Sequence, residues 1–171
     1  MPEINSTHDP KRRSFVDSAN RSDSDFPLQN LPLGIFRRPG ETIGRGGAAI
    51  GDRIFDIKAA REAGLFSGLA EEAAAAASGA KLNGLMALGN EAASALRARL
   101  CDLLDAAGPE RARVAALADK LLAPMAECAL DLPTEVGNFT DFLTSCFHST
   151  RLSPKGALAA NFMSQIGRAH V

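Results

Sequence analysis

Between Ala59 and Ala129 the chain is dense in alanine, and many of the bulkier apolar residues there are leucines at helical spacing. Leu96, Leu100, Leu103 and Leu104 recur at i, i+4, i+7 and i+8, which puts them on one face of a helix predicted over 91–107. Gly108-Pro109 is a stop signal, and Pro109 suits the first position of a following helix. Val114, Leu117, Leu121 and Leu122 form that helix's apolar face, and Pro124 closes it. Residues 71–77 combine high helix propensity with almost no bulky side chains, which predicts another helix. The leucine stripes read as core contacts. Arg97, Arg99, Arg111 and Arg113 fall on or near the polar faces among acidic neighbours, so solvated side chains are expected.

Upstream the texture is different. Pro27 and Pro32 push their preceding residues toward extended geometry, so 25–36 reads as an extended segment entering a short strand at 33–36. Arg37-Arg38-Pro39-Gly40 is a turn signal. Residues 46–51 and 53–57 read as two strands, with Gly51-Asp52 as a two-residue hairpin turn. Alternation in the second strand is loose, so its facing stays open. A small β-structure over 30–58 followed by helices makes the fold class α+β. Residues 1–13 are polar, carry two prolines and predict a disordered tail, with His8 solvated in it.

Nineteen Lys plus Arg against 20 Asp plus Glu leave a net charge of -1. That balance argues against nucleic acid as a partner. No apolar run reaches membrane-spanning length, and the first 30 residues show no secretory signal, so neither a membrane nor export is expected. The three cysteines, Cys101, Cys128 and Cys146, form no CxxC pair. Reduced thiols in a cytoplasmic protein are the reading.

The stretch that carries chemistry is 137–148, Gly-Asn-Phe-Thr-Asp-Phe-Leu-Thr-Ser-Cys-Phe-His. A short helix is possible over 141–148. Asp141 and His148 would then share a face about 10 Å apart. That is too far for both to ligate one ion. It suits a carboxylate on a hard cation beside an imidazole working on a water. Taken alone the pair is weak evidence, and an Asp and a His without catalytic duties fit the residues better.

Two stretches resemble the fumarylacetoacetase family. One is Asp25-Phe26-Pro27-Leu28-Gln29-Asn30-Leu31-Pro32-Leu33-Gly34-Ile35-Phe36, with Ala48-Ala49-Ile50-Gly51-Asp52-Arg53-Ile54-Phe55-Asp56-Ile57 after it. It is similar to the opening of the family's small N-terminal domain, an SH3-like β-barrel with attached helices. The other, from Asn138 to His148, resembles the start of the catalytic domain, where the family carries D-Y-T-D-F followed by a His. After the polar tail at 1–13, the resemblance implies an N-terminal domain at 14–132 and the truncated start of a mixed-β catalytic domain at 133–165.

The implied activity is hydrolysis of 4-fumarylacetoacetate to fumarate and acetoacetate, the last step of tyrosine and phenylalanine breakdown. Asp141 matches the first of four carboxylate ligands to Ca²⁺ or Mg²⁺, and His148 matches the general base. Leu143 stands where better-known members carry a substrate-contacting tyrosine. Arg151, and after it Lys155, is the candidate for the family's substrate-contacting arginine. The implied partners are a small diketo-acid substrate and, for the full-length enzyme, a second copy in a homodimer.

No Asp or Glu follows Asp141, so the remaining ligands and the glutamate that orients the catalytic His are absent from this chain. The final six residues, Ile-Gly-Arg-Ala-His-Val, resemble the translation of a sequencing-library adapter, which sets His170 aside. An inactive N-terminal fragment is therefore expected. A related acylpyruvate or diketo-acid hydrolase and a non-enzymatic interaction module are the alternatives.

Overall fold

Five short strands make one antiparallel sheet in the computed structural model, which describes residues 4–138. They are β1 (Leu33–Arg37), β2 (Arg45–Ile50), β3 (Arg53–Asp56), β4 (Leu122–Pro124) and β5 (Ala129–Asp131), in the order β4-β3-β2-β1-β5. The predicted hairpin is present. Ile50 faces Arg53 across Gly51-Asp52, and Gly51 takes φ +55°, which suits a type II′ turn.

The sheet cannot be flat. β4 and β5 are its two edges, roughly 19 Å apart if the strands lay in a plane. Only residues 125–128 connect them, a reach of roughly 17 Å even when fully extended. Part of that link is the 3-10 turn Met125–Glu127, which shortens it further. The strands therefore curl into a half-barrel.

The curl separates two faces. Ile35, Ala48, Ile50 and Phe55 point outward into the main core under the helices. Phe36, Ile54 and Ala123 point inward and form a second, smaller core with Met125 and Cys128.

Six helices lie between β3 and β4: α1 (Ile57–Glu62), α2 (Gly68–Ala77), α3 (Asn83–Ala87), α4 (Gly89–Leu104), α5 (Arg111–Ala116) and α6 (Ala118–Leu121). The alanines of α2 have a steric purpose. Ala73, Ala74 and Ala77 are fully buried. A Cβ on Gly46 would lie 1.9 Å from the Ala77 carbonyl oxygen, so α2 rests directly on β2. The leucine stripe of α4 is buried as its spacing predicts.

Four expectations need correction. First, α4 ends at Leu104, short of Gly108-Pro109, because Asp105 turns extended and bridges Ser14. Ala106 N–H then donates to Arg13 O. Second, Pro109 does not open a helix; α5 starts at Arg111. Third, Leu122–Pro124 is a strand, since Ala123 pairs with Ile54 and packs beside it.

Fourth, residues 4–13 are not a disordered tail. They form a strap with a 3-10 turn at Ser6–His8, where Asn5 caps the turn and Thr7 is buried. Arg12 reaches Asp102 at 2.9 Å and Asp105 at 2.7 Å. Three of the arginines expected in solvent are tied down as well. Arg97 donates to Gln29 O, Arg99 to Leu65 O and Arg113 to Ala63 O.

Candidate functional site

The residues that the sequence marks for catalysis, Asp141, Leu143, His148 and Arg151 with Lys155, lie outside the described residues, as does Cys146. Among the described residues no group of three or more His, Cys, Asp and Glu could hold a metal ion. His8 sits in the strap, and its Nδ1 accepts from Asn5 N–H at 3.2 Å.

The chemistry of the described unit concentrates on the inner face of the sheet, and the hairpin register explains why. In the β2–β3 pairing Gly47 faces Asp56 and Ala48 faces Phe55. Arg45 is therefore a diagonal neighbour of Asp56 on the same face. Arg45 Nε donates to Asp56 Oδ2 at 2.8 Å and its Nη2 to Glu41 Oε1 at 2.7 Å. Its guanidinium also stacks 5.5 Å from the Phe36 ring centroid, the residue opposite it on β1.

Asp56 is 2% exposed and uses both oxygens. Oδ1 accepts from Ala59 N–H and caps α1, while Oδ2 takes Arg45 and has Arg38 Nη2 at 3.6 Å. Arg38 also donates to Lys120 O, which ties the loop after β1 to α6. The hydrogen bond from Arg45 holds the Glu41 carboxyl below the usual range. Two arginines thus meet two carboxylates. The cluster joins strand, loop and helix, and its carboxylates are too well paired to act as free bases.

Beside it lies an apolar hollow of about 290 Å³, lined by Phe26, Leu33, Phe36, Ile54, Met125 and Leu130 among others. Small residues create the space. A Cβ at Gly47 would come within 2.5 Å of Ile54 and 2.8 Å of Phe36, whereas one at Gly34 would meet nothing within 4 Å. Almost no polar group reaches this hollow, so it offers shape without reactive chemistry.

Cys101 is buried and Cys128 half-buried. Cys101 and Cys128 are free, and burial pushes both thiols up. No helix among the described residues is long and apolar enough to cross a membrane.

The Arg45–Asp56 pair could have been found in the sequence. A two-residue turn at 51–52 fixes the register, and the register makes the pair. Its value as a cluster depends on Arg38 and Glu41, whose loop geometry has no comparable signal.

Comparison with known proteins agrees with this unit. The family model described as fumarylacetoacetase N-terminal matches residues 29–133. A fumarylacetoacetase of Oryza sativa subsp. japonica is 39% identical over 140 residues, covering 80% of this chain and 32% of the relative. Fumarylacetoacetases of Arabidopsis thaliana and Homo sapiens are 35% identical over 137 residues and 33% over 140. Those two alignments cover 80% and 81% of this chain and 32% of each relative. The chain thus spans about a third of the length of the curated relatives it matches. With strands, helices and family model coinciding over the same residues, the chain belongs to the fumarylacetoacetase N-terminal family.

Proposed function

We propose that this chain is the N-terminal part of a fumarylacetoacetase, a hydrolase that cleaves a carbon–carbon bond of 4-fumarylacetoacetate to give fumarate and acetoacetate. The family match over residues 29–133 carries this reading, together with relatives that bear that name. The order β5-β1-β2-β3-β4, with a 3-10 turn between β4 and β5, supports an SH3-like barrel with its helices inserted after β3. The acidic-aromatic stretch around Asp141 supports a catalytic domain beginning near residue 133. A cytoplasmic enzyme of tyrosine breakdown, working as a homodimer, completes the proposal.

The proposed roles are unequal in what the chain supplies. His148 is the base that takes a proton from the attacking water, a role open to an imidazole near neutral pH. Asp141 is a ligand for Ca²⁺ or Mg²⁺. Such an ion wants six or more oxygens, and no Asp or Glu follows Asp141 in this chain. These residues alone do not fit a complete metal site, so the chain by itself is inactive. Leu143 cannot donate the hydrogen bond of the tyrosine it replaces, which shifts the holding of substrate onto other groups, Arg151 among them.

The test is fumarate release from fumarylacetoacetate by the full-length parent, compared with its Asp141→Ala and His148→Ala variants. Full turnover in both variants would remove the assigned roles. A panel of acylpyruvates run beside it separates the fumarylacetoacetase reading from a shifted substrate, which Leu143 motivates.

A further inference from the structure

Arg38, Arg45 and Asp56 border a polar hollow of about 240 Å³, whose wall is completed by Lys58 and Glu62 of α1 and Lys120 of α6. Four cationic side chains thus face two carboxylates. Asp56 ends β3 and caps α1, so Lys58 follows it by two residues, and Glu62 stands one turn further along the helix. Lys120 is brought in by Arg38, whose Nη2 donates to the Lys120 carbonyl oxygen at 2.5 Å and ties the end of α6 to the loop after β1.

The carboxylates do not neutralise this wall. Asp56 accepts from Arg45 at 2.8 Å and has Arg38 at 3.6 Å. Among the described residues Lys58 and Lys120 have no ion-pair partner, although Glu62 stands at i+4 from Lys58. Arg38 adds an independent observation. Its side chain is 25% exposed, yet its Nε is buried and meets no hydrogen-bond acceptor among the described residues. A buried N–H normally has a partner, because leaving one unpaired is costly.

We propose that this hollow is a binding site for a small oxyanion, a carboxylate or phosphate group, held by Arg38, Lys58 and Lys120. A guanidinium edge matches the paired oxygens of either group, and Arg38 Nε–H is the donor still to be satisfied on that edge. The two lysines supply the countercharge. Glu62 opposes the anion from the same wall. A metal ion does not suit the site, since both Asp56 oxygens are already taken.

The test is to titrate inorganic phosphate and succinate into the chain at fixed ionic strength, with chloride as the reference anion, while following the Arg38 Nε–H resonance by NMR. The resonance should shift and saturate with a half-point of about 1 mM for the better-matched anion. Tighter phosphate assigns a phosphate-bearing ligand, and tighter succinate a carboxylate. Lys58→Gln and Lys120→Gln should each weaken binding about 5-fold, and Glu62→Gln should tighten it about 3-fold. All three positions are exposed, so the fold should survive, and a gain of affinity in Glu62→Gln cannot come from unfolding. Lys11→Gln removes an exposed lysine that does not line the hollow and should change nothing. No saturation by either anion up to about 50 mM overturns the site. So does binding that leaves the Arg38 Nε–H resonance unmoved, or that keeps its affinity in both lysine variants.

Discussion

Replacing Gly46 with alanine should be among the most damaging single-methyl changes in this domain. The added Cβ would sit 1.9 Å from the Ala77 carbonyl oxygen and 3.0 Å from its carbonyl carbon. Both are backbone atoms of α2, so no rotamer change relieves the clash. Ordinary contact begins near 3.4 Å, so the helix must retreat by about 1.5 Å. A gap of that size forfeits more than half of the dispersion energy between the facing atoms. Ala73, Ala74 and Ala77 all lose their fit at once.

Overpacking of this kind costs about 3 kcal/mol, out of a total of about 5–15 kcal/mol for a domain. With a urea slope near 2 kcal/mol/M, the unfolding midpoint should fall by about 1.5 M. Gly34→Ala is the matched control, since Gly34 lies on the neighbouring strand and faces open space. It should move the midpoint by less than about 0.3 M, because a surface-like change is usually within ±0.5 kcal/mol. Equal midpoints for the two variants would mean that α2 is not seated on β2, and the steric account of the alanine-rich helix would be wrong.

Two further outcomes follow from the ionic groups. Asp56→Ala strips the cap from α1 and leaves Arg45 with Glu41 alone; a loss of about 3 kcal/mol in urea unfolding is expected. Ser18 donates to Asp52 Oδ1 at 2.6 Å, and that bond holds the Asp52 carboxyl below its usual range. A depressed carboxyl stabilises the fold above about pH 4 and loses that contribution as pH falls through its lowered value. Ser18→Ala should therefore be less stable than wild type at pH 7, with the gap closing toward pH 2; a gap that widens on acidification would contradict the assignment.

The sequence made the local features legible. The hairpin at 45–56 follows from one turn, and α4 follows from one leucine period, because each signal sits inside its own element. β4 and β5 left no such trace. Three residues cannot show alternation, and both strands exist only because distant partners, β3 and β1, are waiting for them. The strap at 4–13 carries no hydrophobic pattern for a related reason. It is held by capping, ion pairs and backbone hydrogen bonds, where a hydrophobic pattern reports none of these. Asn83 lies outside every predicted element, and its partner Glu135 is 52 positions away, so no local signal marks it. The catalytic assignment of Asp141 and His148 came from the family resemblance; the residues themselves fit an unremarkable pair as well.

The most direct test is to measure fumarate release from fumarylacetoacetate by the full-length gene product and by this chain, at equal concentration and with divalent cation present. The account predicts turnover by the full-length protein and none by the chain alone. Turnover by the chain alone would contradict the claim that it carries only part of an active site, and silence from both would contradict the fumarylacetoacetase assignment itself.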